Sequence, residues 1–245
     1  MEIIPEDKLR YLAGKHGFNI LYLEKDYFLT LLLYFIRNIK GIYFKGGTAL
    51  NKIFLNHKRL SQDLDFTSRV KIEKVKRQVD DALDKKIFKK LEIDHVTKNF
   101  IRFHIFFKSY FGNESFIILD INEKASVHLK PEKHRLKNFY GLDFYIHTLN
   151  LDEIIAEKVR TLVLRNQPRD YFDIYFIIKK HKLNLSLIKK KLEEADAEFN
   201  IERIFKNAQK IYSRWDKDLM SLTNKEVKFI TVMKSLQKHF GYKGK

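Results

Sequence analysis

Two glycines and two aspartates carry the first chemical signal in this chain. Gly46-Gly47 follow a short apolar run and open a helical pattern. Glycines there let the backbone come close to a ligand and leave N–H groups free at a helix start, which is a phosphate-binding arrangement. Asp63 and Asp65 stand two apart on a short strand pattern, so both project from one face. Two adjacent carboxylates repel unless a cation sits between them. Mg2+ is held by one or two carboxylates together with substrate phosphates. The stretch therefore reads as a nucleoside triphosphate site with a catalytic metal. The plain alternative is an acidic pair on an exposed strand face. The apolar opposite face, Leu64 and Phe66, and the glycine turn upstream weigh against it.

Further candidates lie downstream. Asp120 interrupts the apolar run Phe116-Ile117-Ile118-Leu119, and burying it unpaired is costly. Either a cation partners it or it sits at the strand's solvated end. As a third carboxylate it would complete a two-metal site for in-line displacement at phosphorus. Lys158 shares a helix face with Ile154 and Leu162, so it either snorkels or points where its charge is needed. Asp170 falls in the first turn of a helix begun by Pro168, where the helix dipole already favours an acid. Asp173, one turn further in, has no such structural reason and is the stronger functional candidate. At i, i+3 both acids could reach one partner, Lys158 or Arg169. Arg59 and Ser61 flank the aspartate strand; loops often carry both residue types, but a hydroxyl two residues before Asp63 would lie beside the phosphates. The histidines show no ligand spacing.

Elements must hold these residues in place. Periodicity predicts helices over 6–14 and 19–39, a buried strand at 42–44, a helix over 48–55, and the aspartate strand over 63–67. A solvated helix over 71–90 precedes strands at 91–96, 100–107 and 115–122. The last is apolar on both faces and so central, with a hairpin turn at 111–114 before it. A basic loop spans 130–135, and a last strand pattern, placed at a sheet edge, spans 142–149. From Asn150 the texture becomes helical: no glycine occurs between Gly141 and Gly241, and helices are expected at 151–165, 168–181, 185–197, 200–211 and 224–240. The domain boundary is set there, giving domains 1–149 and 150–245, with a frayed tail over 241–245.

Composition bounds the rest. The 245 residues suit one large domain or two small ones, with 44% hydrophobic residues to build a core. The absence of cysteine excludes disulfides and thiolate metal sites and favours a reducing, cytoplasmic location. The first residues lack a signal-peptide pattern, and no apolar run is long enough for a membrane helix. Net charge is +17, which points to a polyanionic partner. A lysine-rich composition used only for solvated helix faces would give the same total.

The motifs together resemble the AbiEii/AbiGii nucleotidyltransferase toxin family, a branch of the DNA-polymerase-β-like nucleotidyltransferases with which the MenT toxins group. The resemblance rests on Lys45-Gly46-Gly47-Thr48, Arg59-Leu60-Ser61-Gln62-Asp63-Leu64-Asp65-Phe66, Glu157-Lys158 with Arg165, and Arg169-Asp170-Tyr171-Phe172-Asp173. It implies an α/β (α+β) architecture: an N-terminal nucleotidyltransferase domain with a mixed sheet flanked by helices, then an all-helical C-terminal domain, with the active site in the cleft between. It implies Mg2+-dependent transfer from an NTP to RNA, some members acting on the tRNA acceptor end, in a toxin–antitoxin and phage-defence setting with a cognate antitoxin. It assigns Asp63, Asp65, Lys158 and Asp173 to catalysis; Gly46, Gly47, Ser61, Arg59 and Lys158 to the nucleotide; and Asp63 and Asp65, with Asp120 matched only by its place on a central strand, to the metal. Lys45, Thr48, Asp170 and Arg169 are secondary candidates. Transfer to a small molecule or a protein, or a non-catalytic RNA-binding module, are the competing classes.

Overall fold

Residues alternating between two faces build the central sheet. The computed structural model describes residues 2–123 and 126–243 and divides into two compact units, Met1–Asn150 and Leu151–Lys245. In the first unit the strands are β1 (Ile42–Lys45), β2 (Asp63–Ser68), β3 (Phe88–Thr97), β4 (Phe100–Phe107), β5 (Ser115–Asn122), β6 (Glu132–Arg135) and β7 (Tyr145–Thr148). They form one seven-stranded sheet in the order β3-β4-β5-β2-β1-β7-β6. It is mixed: β2 runs parallel to β5 and β1 parallel to β7, while the other neighbours are antiparallel.

One face of the sheet is the core. Ile101, Phe103, Ile105 and Phe107 of β4 interleave with Ile117, Leu119 and Ile121 of β5, and all are buried. Helices α1 (Glu6–His16) and α2 (Ile20–Ile36) supply the covering layer; α2 packs on β5, and Phe28 stacks on Phe107 with ring centroids 3.9 Å apart. Asn19 starts α2 by accepting a hydrogen bond from Leu21 N at 3.0 Å, the expected role of an asparagine N-cap. The other face carries Asp63, Asp65, Ile118, Asp120, Arg102 and His104, each only half-buried. The candidate site residues of this unit lie there.

The short α3 (Gly46–Ala49) runs into a π-helical turn, Leu50–Phe54, where one regular helix was expected. Lys52 in that turn is fully buried. Its Nζ donates to Asp26 Oδ2 of α2 at 2.7 Å and to Thr30 Oγ1 at 2.9 Å, and the Tyr140 hydroxyl donates to the same Asp26 oxygen at 3.0 Å. A charge pair removed from water this completely persists only with its hydrogen bonds satisfied. It ties the turn after the glycines to α2.

Three further sequence expectations in this unit change. The helix over 71–90 is α4 (Ile72–Ala82) only; Leu83 turns extended, and Ile87 and Phe88 are drawn into the core to begin β3. The basic loop at 130–135 contains a strand, β6, which pairs with β7 and forms the sheet edge. Consequently β7 is not an edge strand. An edge strand with polar residues on both faces offers no hydrophobic alternation to read.

The second unit is helical: α5 (Leu151–Leu164), α6 (Pro168–Ile177), α7 (Leu185–Glu193), α8 (Ile201–Phe205), α9 (Ala208–Tyr212), α10 (Trp215–Leu219) and α11 (Phe229–Phe240). The helix expected over 200–211 breaks at Lys206-Asn207, and α10 was not expected at all. The helix expected from 224 starts only at Phe229. Gly241 closes α11 in the left-handed conformation, while Gly244 and Lys245 of the expected frayed tail lie outside the described residues. No helix among the described residues is long and apolar enough to cross a membrane.

Candidate active site

Strand register assembles the first cluster. Lys45 of β1 pairs with Asp65 of β2, Asp65 with Asp120 of β5, and Asp120 with Arg102 of β4. Residues in register on neighbouring strands project from the same face. A row of charges, plus–minus–minus–plus, thus crosses four strands, and Asp63 stands two residues from its centre. Neighbouring strands lie about 4.8 Å apart, so the middle two carboxylates repel at close range and the flanking cations offset this.

The glycine turn is built against the same row. Gly46 has φ +74°, and a Cβ placed on it would lie 2.1 Å from Asp65 Oδ2. The carboxylate fills the space a side chain would need. A Cβ on Gly47 would lie 2.7 Å from an Arg59 guanidinium nitrogen. Arg59 is almost wholly buried, and its N–H donates to Asn51 Oδ1 at 3.2 Å while Asn51 Nδ2 donates to the Gly47 carbonyl at 3.1 Å. Thr48 Oγ1 donates to the Asp63 carbonyl at 2.5 Å, and Ser61 Oγ donates to Asp63 Oδ1 at 3.3 Å. Lys45, Gly46, Gly47, Thr48, Arg59, Ser61, Asp63 and Asp65 thus form one connected group.

Asp120 has a cation partner in the protein itself. Arg102 Nε donates to Oδ1 at 2.8 Å and a terminal guanidinium nitrogen donates to Oδ2 at 2.7 Å. This fork engages both oxygens. In keeping with that, no group of three or more His, Cys, Asp or Glu poised to hold a metal occurs among the described residues. Asp63 and Asp65 stand as a pair of hard oxygen donors on one face, a set suited to a hard divalent cation.

Two cations that act on these carboxylates went unnoticed in the sequence. Arg102 is one; the closing pair of the hairpin, Phe107 with Ser115, counts back to Arg102 with Asp120, so hairpin register would have found it. Lys25 of α2 is the other. Burial lowers the pKa of its ammonium group and the charge of Asp63 opposes the shift, so Lys25 stands within the field of that carboxylate. Its place in an almost wholly apolar helix was the available signal.

The second unit holds its own cluster. Lys158 Nζ of α5 lies 3.1 Å from Asp170 Oδ1 and 3.1 Å from Asp173 Oδ2 of α6. Both carboxylates are fully buried. Arg165 donates to Asp170 through Nε at 2.9 Å and through a terminal nitrogen at 3.0 Å. Burial alone would push the Asp170 carboxyl up, but the Lys158 charge and the Arg165 hydrogen bonds hold it well below the usual carboxylate range. The i, i+3 acids do reach one partner, Lys158. The additional cation on Asp170 is Arg165, and Arg169 lies half-buried at the start of α6.

Solved structures share this fold. MenT4, a nucleotidyltransferase toxin from Mycobacterium tuberculosis H37Rv, superposes with a TM-score of 0.71 at 18% identity, over 98% of this chain and 89% of that one. JHP933 from Helicobacter pylori superposes with a TM-score of 0.61 at 20% identity, over 89% of this chain and 90% of that one. No curated protein matches the sequence. The profile described as "Nucleotidyl transferase AbiEii toxin, Type IV TA system" matches residues 38–230, and the chain belongs to that family.

The glycine geometry gives a first prediction. Gly46→Ala places a Cβ in the left-handed region and against Asp65. Left-handed backbone costs a non-glycine residue about 1–2 kcal/mol, and Asp65 must move as well. The variant should unfold at lower temperature and lose nucleotide transfer by about a hundredfold, read by calorimetry and steady-state rates. Transfer at the wild-type rate would show that the close approach of turn and carboxylate has no part in the reaction.

Proposed function

We propose that this protein is the toxin of a toxin–antitoxin pair and transfers a nucleotide from an NTP to RNA, at the tRNA acceptor end, with Mg2+, in the cytoplasm. The observation that carries this reading is the packing of Gly46 directly onto Asp65 in the row Lys45–Asp65–Asp120–Arg102. It supports the reading of the glycine turn as a backbone phosphate cradle beside two half-buried carboxylates. The +17 charge supports a polyanionic acceptor over a small molecule.

The chemistry is an in-line displacement. The N–H groups of the Gly46-Gly47 turn, with Arg59 and Ser61 beside them, hold the triphosphate. Asp63 and Asp65 would hold Mg2+, which neutralises phosphate charge when bound. The acceptor hydroxyl oxygen bonds to the α-phosphorus, the bridging P–O bond to the β-phosphate breaks, and pyrophosphate leaves. The hydroxyl proton passes to Asp120, the third carboxylate of the strand row. Positioning and charge neutralisation carry most of the acceleration.

Incubation with each α-labelled NTP, Mg2+ and total RNA, followed by size separation, tests this. Label on tRNA-sized RNA is expected. Label on protein alone, or on a small acceptor without RNA, would replace the acceptor; no label with any NTP would refute transfer. A co-expressed neighbouring antitoxin should restore growth of cells making the protein.

A further inference from the structure

Away from the carboxylates the first unit has a cleft of about 720 Å³, lined by the end of α2, the turn into β1, and strands β6 and β7. Its walls include the tyrosines Tyr34, Tyr43 and Tyr145 and the cations Arg37, Lys40 and Lys133. We infer that this cleft is a binding groove for single-stranded nucleic acid, with the tyrosine rings taking bases and the cations taking phosphates. The inference rests on the proposed transfer to RNA and names where a stretch of that acceptor lies.

Three observations support it. First, each ring is matched with a cation. Within the lining, Arg37 stands 3.7 Å from the Tyr34 ring centroid and Lys133 5.7 Å from that of Tyr145; the cation on Tyr43 is Arg69, which lies outside the lining, at 5.3 Å. Alternating rings and cations along a groove is how single strands are held without regard to sequence. Second, the charge is one-sided. The single carboxylate of the lining, Asp143, is already engaged by Arg135, Nε to Oδ1 at 2.7 Å. Third, the cleft shares a sheet face with the catalytic row. Tyr43 projects from the same face as Lys45, about 7 Å along β1, and Lys45 is in register with Asp65. The face continues outward, because Lys133 of β6 is in register with His147 of β7 and Arg135 with Tyr145. Tyr145 is 53% exposed, which a ring serving only the core would not be.

An acidic protein segment would meet the same cations but would have no use for the three rings beside them. The rings favour nucleic acid.

The test uses the full chain and a short unstructured fluorescent RNA, with binding read by anisotropy across a salt series. Lys40→Ala combined with Lys133→Ala changes two exposed side chains and should leave folding intact. It should reduce the slope of log affinity against log salt by about 1.4, since each single-strand phosphate contact contributes about 0.7. Tyr145→Ala should weaken binding about fivefold or more, with the slope unchanged. An unchanged slope and affinity in both variants would overturn the inference, as would displacement of the RNA by polyglutamate as readily as by unlabelled RNA. The two failures are separable. If wild-type protein labels RNA and both variants do so with the wild-type KM, the groove is wrong and the function stands. If wild-type protein labels no RNA, the function is wrong and the anisotropy alone judges the groove.

Discussion

Asp63→Asn should lower nucleotide transfer about a thousandfold while leaving the protein folded. The substitution keeps the shape and removes one of two carboxylates available to the metal, and losing such electrostatic stabilisation typically costs 10²–10³ or more in rate, at about 1.4 kcal/mol per tenfold. The fold should not suffer. Asp63 is half-buried, and the bond that ties its strand to the glycine turn, from Thr48 Oγ1, goes to its backbone carbonyl and survives the change. Without metal the variant should be as stable as the wild type or slightly more so, because the like charge beside Asp65 is gone. Transfer within tenfold of wild type, with thermal unfolding unchanged, would end the assignment of Asp63.

Lys158→Ala should behave differently, losing stability as well as activity. Lys158 is the shared cation of two fully buried carboxylates. Removing one partner of a buried ion pair typically costs about 3–5 kcal/mol, because the desolvated charge stays behind. The helical unit should unfold at markedly lower denaturant, followed by circular dichroism. Arg165→Ala, which removes a half-exposed partner, should cost far less.

The pH dependence of this cluster has a definite sign. The Asp170 carboxyl is held below its unfolded value, so the native state binds fewer protons than the unfolded state in the acid range. Its contribution is therefore fully present at neutral pH and is lost as pH falls below about 4, the ordinary aspartate value. Without Lys158, burial opposes ionisation more effectively and acid unfolding of the helices should begin at higher pH. An acid midpoint unmoved by Lys158→Ala would show that the pair contributes nothing to the linkage.

Much of this was legible because burial leaves a periodic trace. Strands β4 and β5 were bounded in the sequence as they occur, since each alternates against a fully apolar core face. The Gly46-Gly47 turn and the Asp63–Asp65 pair were legible by residue type. β6 was not, because an edge strand reading Glu-Lys-His-Arg carries no apolar face. Short helices α8, α9 and α10 are divided by local capping and tertiary packing, which a helical period does not record. The fork from Arg102 to Asp120 escaped notice because it emerges only when the hairpin register is counted from one strand to the other, beyond the spacing within each.

One consequence follows from the position of β2 in the sheet. It is the fourth of seven strands, with β1 laddered along one side and β5 along the other. Its amide protons are therefore shielded from solvent until the whole sheet opens, and local openings are confined to segments with fewer neighbours. Asp65 thus rides on backbone laddered on both sides and Asp63 on backbone laddered to β5, whereas the edge strands β3 and β6, the latter bearing part of the tyrosine-lined cleft, have one neighbour each and should open more often. The carboxylates sit on the better-protected part of the sheet, and the peripheral strands are the part freer to move.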